Sequence, residues 1–150
     1  TVEFNSACFY RYAIVDWEKL VENLQMDTEL AIKGVRAFLE GFVVAEPTGK
    51  QNTFAAHNPP EFVAISVRSN GAPRSLTNAF EMAIRPGRSE GLTTMSAQKL
   101  ISKAKMLGSA YGSADTTFVL NLTEASIEGF GEGVPSLAAL LDRSTAAVRS

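Results

Sequence analysis

The side chains able to do chemistry are few in this chain, and most lack the company that chemistry needs. One histidine, His57, and one cysteine, Cys8, occur among 150 residues. That pair cannot build a zinc site of the usual kind. The Asn58-Pro59-Pro60 that follows His57 gives it no triad context. Cys8 sits in an apolar strand pattern, where a small buried residue is expected rather than a nucleophile. Glu124 and Glu128 stand four apart in a poorly patterned stretch. Gly129-Phe130-Gly131-Glu132-Gly133 is glycine-rich enough for a phosphate cradle, but Glu132 lies within it and no lysine follows. It reads as a flexible connector. Catalysis by this chain alone is not expected.

Binding chemistry is better represented. Lys50, Gln51, Asn52 and Thr53 offer donors and acceptors in a row, which suits a backbone phosphate or a ribose. Residues 54–56 then read as a short strand of small residues, ended by Asn58-Pro59-Pro60. The same stretch also reads as an ordinary connection between a helix and a strand. Arg11, set among aromatics, can stack on a base, pair with a phosphate, or find an acidic neighbour within the fold. Lys99, Lys103 and Lys105 can meet a phosphate backbone or simply form a solvated helix face. Arg85 to Gly91 combines breakers with two arginines and reads as an exposed loop.

Composition sets the frame for these residues. The hydrophobic fraction of 45% and charged fraction of 20% are those of an ordinary globular domain with a real core. A net charge of −2 argues against holding nucleic acid by bulk electrostatics, though not against local contacts. A single cysteine implies no internal disulfide and a reducing, cytoplasmic setting. No apolar run is long enough for a membrane span. The chain starts at Thr1 and enters a strand at once, as a piece of a longer protein would.

The elements that must position these groups follow from periodicity. Phe4 to Asp16 is apolar on both parities and predicts a long strand covered on both faces. Asp16 caps a short helix, Trp17 to Leu24, and Asp27 or Thr28 caps a longer one to about Ala45. Leu30, Val35, Phe38, Leu39 and Phe42 form its expected apolar stripe. Glu61 to Ser69 alternates as a strand. Ser75 is expected to cap a helix over 75–84, and Ser96 another to about Leu107. A strand over Thr116 to Leu122 and a last helix from about Ser136 to Ala147 complete an α+β or α/β order.

Three stretches occur together in one known family. Phe9-Tyr10-Arg11-Tyr12-Ala13, then Gly49-Lys50-Gln51 with Thr53-Phe54-Ala55-Ala56 and Asn58-Pro59, then Leu76 with Asn78-Ala79-Phe80-Glu81, stand in that family's order and separations. The chain resembles the C-terminal half of the CasC backbone subunit of the type I-E CRISPR complex Cascade. The matching zone runs from Phe4 to about Ile84. The resemblance implies an α+β fold with a partial RNA-recognition-motif-like (ferredoxin-like) sheet and a helical C-terminal region. Residues 1–84 would be the later part of that core, and 85–150 C-terminal helices with one strand.

In function, the resemblance implies a scaffold that holds CRISPR RNA by its backbone and leaves the bases free to pair with target DNA. Its implied partners are that RNA, target DNA through the guide, further copies of itself and other Cascade subunits. No cofactor is implied. Arg11, Lys50, Gln51 and Thr53 match the shared motifs and are the expected RNA contacts. Asn78, in the third motif, is expected to cap or fix local structure. The rival readings are an endoribonuclease using His57, and a protein-interaction module with no nucleic-acid role.

Overall fold

The computed structural model describes residues 7–46, 57–85, 89–113 and 115–149. The expected short strand at 54–56 and the expected contacts Lys50, Gln51 and Thr53 lie outside the described residues. Helix α1 spans Trp17–Asn23 and α2 spans Thr28–Val44. Each begins as its sequence requires, with an aspartate carboxylate accepting from an orphan backbone N–H. Asp16 takes the N–H of Lys19 and Asp27 that of Leu30, both at 2.9 Å.

Strand β1 (Phe62–Arg68) pairs antiparallel with β2 (Asp115–Asn121), in register from Phe62 opposite Asn121 to Arg68 opposite Asp115. A two-residue strand, β3 (Glu132–Gly133), lies parallel on the other edge of β2. Helix α3 (Leu92–Tyr111) and helix α4 (Leu137–Arg149) complete the described elements, with one 3₁₀ turn at Thr77–Phe80. The result is a mixed α+β fold.

Helix α4 packs on β1 and β2, α2 packs on α4, and α1 on α2. Phe118, Leu140, Leu141, Ala31, Ile32 and Val35 are buried along this stack. Burying a side chain such as Leu140 stabilises by about 1.5–3 kcal/mol. A second cluster joins Ala97 and Ile101 of α3 to Ala125, with Phe62, Ile127 and Phe130 against it. β2 is therefore covered on both sides. Gly131 makes the approach of β3 possible, since a β-carbon there would stand 2.8 Å from the Thr117 carbonyl and 2.9 Å from Val119 Cγ2. The glycine-rich stretch is thus a packed edge as well as a connector.

Several expectations need correction. Over residues 7–16 no strand forms among the described residues, and Cys8 is exposed rather than buried. The apolar pattern there is real, but among the described residues no strand lies alongside to complete a ladder. The stripe expected on α2 is only half buried. Val35 is covered, whereas Leu30 is 48% and Phe38 43% exposed, because α1 and α4 cover a different arc of the helix. The helix expected over 75–84 shrinks to the 3₁₀ turn, whose start no side chain caps, and the Asn78 side chain bonds to none of the described residues. Helix α3 starts four residues before Ser96, whose hydroxyl donates back to the Leu92 carbonyl at 2.7 Å instead of capping.

No described helix is long and apolar enough to cross a membrane.

Candidate nucleic-acid interface

The first and third sequence motifs meet in space. Tyr10 lays its ring against Phe80, with centroids 5.3 Å apart, and stacks on Tyr12 at 6.4 Å. Burial pushes the Tyr10 phenol up from its ordinary pKa, partly offset by a hydrogen bond with the Leu76 backbone and reinforced by the neighbouring Tyr12. Residues 9–13 are thereby joined to residues 76–80. One residue further on, Arg11 reaches the end of α2, immediately before the middle motif.

Arg11 pairs with no carboxylate among the described residues. Its guanidinium donates to the carbonyls of Ala45 at 2.7 Å, Val43 at 3.2 Å and Phe42. It also lies 4.9 Å from the centre of the Phe42 ring. These carbonyls are the orphan acceptors of a helix C-terminus, and α2 has no basic residue in its own last turn. Arg11 supplies the missing cation and ties the 7–15 segment to α2.

His57 closes the arrangement. Its Nδ1 stands 3.4 Å from Glu46 Oε2, so the two residues flanking 47–56 sit side by side. The motif that carries Lys50, Gln51 and Thr53 leaves and rejoins the described fold at one place, beside Arg11. Around it lie exposed apolar groups: Phe9 at 84%, Ile14 at 55% and Val44 at 56% exposure. No group of three or more His, Cys, Asp or Glu among the described residues could hold a metal ion.

Sequence reasoning missed how thoroughly the other arginines are committed. Arg74 repeats the device of Arg11 on α3, donating to Gly112 O at 2.8 Å, Tyr111 O at 2.9 Å and Leu107 O at 3.4 Å. Here too the helix has no basic residue in its last turn, which is the signal that could have been read. Arg68 pairs with Asp115 at 2.8 Å, closing the end of the β1–β2 ladder. Arg36 holds Asp142 at 2.6 Å, and Arg143 holds both Glu132 oxygens at 2.6 Å while lying over Phe118. These five guanidiniums serve the fold.

Comparison with known proteins gives this arrangement a context. A family model described as CT1975-like protein (Cas_CT1975) matches residues 1–143, well beyond the motif zone that ends near Ile84. None of the curated proteins compared with the chain matches it. Among solved structures, one chain of a "CRISPR RNA-guided surveillance complex" is similar at 32% identity with a TM-score of 0.82, over 89% of this chain and 50% of that one. Another, from a "CRISPR RNA-guided surveillance complex, pre-nicking", is similar at 32% identity with a TM-score of 0.78, over 89% of this chain and 35% of that one. The chain thus spans half or less of the length of these two chains. The family model takes in the 7–46 segment, the sheet and the first half of α4, so the elements that bring the first and third motifs together lie within the match, and the chain belongs to the CT1975-like family of Cas proteins.

Proposed function

We propose that the chain is part of a non-catalytic backbone subunit of a type I-E Cascade complex that holds CRISPR RNA in the cytoplasm. The observation that carries this reading is the fold match at a TM-score of 0.82 over 89% of the chain to a CRISPR RNA-guided surveillance complex chain. In this reading the sheet is part of an RNA-recognition-motif-like core. Lys50, Gln51 and Thr53 contact the guide, and Arg11 caps the helix that precedes them. Contacts of this kind go to phosphate and ribose and leave the bases free to meet target DNA. Repetition along further copies substitutes for a strongly basic surface, which suits the net charge of −2. The uncovered Phe9 and Ile14 are what a subunit covered by neighbours would leave bare.

The test is purification of the complete protein with its complex, followed by extraction and sequencing of bound RNA. Guide-derived RNA, lost on Lys50→Ala/Gln51→Ala, supports the reading; a complex free of RNA refutes it. The His57–Glu46 pair gives the endoribonuclease rival its one supporting observation. Incubating labelled guide precursor with wild type and His57→Ala decides it: cleavage by wild type alone would establish the enzyme.

A further inference from the structure

Away from the meeting point of the motifs, one surface stands apart by its charge. Helix α3 carries Lys99, Lys103 and Lys105 and no Asp or Glu over its 20 residues, in a chain of net charge −2. Among the described residues, the cationic side chains without a hydrogen-bond or ion-pair partner are Lys33, Arg85, Lys103 and Lys105. Lys99 makes only a 3.3 Å bond to the Met82 carbonyl. Uncommitted positive charge is therefore concentrated on α3 and the residue beside it.

The geometry is that of a track. Arg85 and Lys99 line an open groove of about 420 Å³ together with Met95, Gln98 and Ser102, and no carboxylate of the described residues lines it. Ala97, Leu100 and Ile101 are buried on the side of the helix opposite Lys99 and Lys103, which turns that pair outward, Lys99 exposed and Lys103 half-buried, whereas Lys105 lies beside Gly129 on another face. Lys99 and Lys103 are one turn apart, about 6 Å along the axis. A stacked strand carries a phosphate every ~3.4 Å, so the two ammonium groups reach about two phosphates. Lysine heads are point charges without a base-reading fork, which suits a backbone and not a sequence.

We propose that this acid-free face of α3 is a second contact surface, for the phosphodiester backbone of a single-stranded nucleic acid. The proposal rests on the RNA-holding reading above and adds a surface that the three motifs do not include. The complete protein is titrated with a fluorescein-labelled 20-nucleotide RNA, the same sequence as single-stranded DNA, and blunt duplex DNA, at 50–200 mM salt. Lys99→Gln/Lys103→Gln is compared with Lys19→Gln/Lys33→Gln, which removes equal charge from α1 and α2. Glutamine keeps the helix propensity of lysine, and circular dichroism verifies that both variants fold.

The α3 pair is expected to reduce the salt slope on single strands by ~1.4, so that about sevenfold less affinity is lost across that salt range. The comparison pair keeps the wild-type slope. A larger effect on the RNA arm identifies the guide as the occupant, and a larger effect on the DNA arm identifies a target strand. If the wild type binds no single strand, the functional reading falls and this proposal with it. If the wild type binds and the α3 pair behaves like the comparison pair, this proposal alone is overturned. A loss confined to duplex DNA overturns it as well.

Discussion

Replacing Arg11 with alanine separates a helix cap from an RNA ligand. The guanidinium holds the Ala45, Val43 and Phe42 carbonyls at the end of a helix that brings no cation of its own. A hydrogen bond to a charged group contributes ~1.5–3 kcal/mol, and a cation at a helix C-terminus about 0.3–1 kcal/mol. Two of the three bonds are exposed, so the low ends of both ranges apply. Their sum is about 2 kcal/mol. In a chain of this size that lowers the melting temperature by about 4–8 °C. Arg11→Lys restores the charge but not the fork and recovers only the smaller share. Melting of the complete protein is measured beside its affinity for labelled guide RNA, well below the transition. The expected result is a lower melting temperature with RNA affinity within about twofold of wild type. An unchanged melting temperature with a tenfold loss of RNA affinity would refute the capping account and make Arg11 a direct contact.

Two further outcomes follow from local geometry. Gly131→Ala forces a methyl group to within 2.8 Å of the Thr117 carbonyl. It should cost about 1–3 kcal/mol in urea denaturation, with a weakened β2–β3 edge; an unchanged midpoint would show that β3 is free to move. Burial raises the Tyr10 phenol above its ordinary value of 10.0, so the folded chain keeps that proton longer than the unfolded one. The stability linked to Tyr10 is complete below the unfolded pKa and declines as pH rises through the raised folded value. Tyr10→Phe should remove that decline as pH rises above 10.0, read as denaturation midpoints across the alkaline range; an identical alkaline decline in both proteins would refute the assignment.

What could be read from sequence was what local rules decide. The caps at Asp16 and Asp27 placed α1 and α2 to within a residue or two, and two-residue alternation placed β1 and β2. The failures share one cause. A strand over residues 4–16 requires a neighbour to hydrogen-bond with, and its apolar pattern records that need without supplying the neighbour. Leu30 and Phe38 obey the helical period, yet which arc of α2 is covered depends on where α1 and α4 land. Residues 75–84 have a helical stripe but close into one 3₁₀ turn packed against α3. For the candidate site, the three motifs were legible and the contact between the first and the third was not. The roles of Arg11 and Arg74 emerge only when a distant helix end is brought beside them.

The antiparallel ladder between β1 and β2 also bears on how the chain comes to be folded. Its nearest partners, Arg68 and Asp115, are 47 positions apart, and all of α3 lies between them. Closing a loop of that length costs about 3 kcal/mol in chain entropy before a single ladder bond repays it. At ~5–20 residues per second, synthesis of the intervening chain takes about 2–10 s. Throughout that interval Val63, Ile65 and Val67 wait with an open strand edge. β-pairing is thus a late step in biogenesis, and the nascent chain is most prone to aggregate in the window just before β2 emerges.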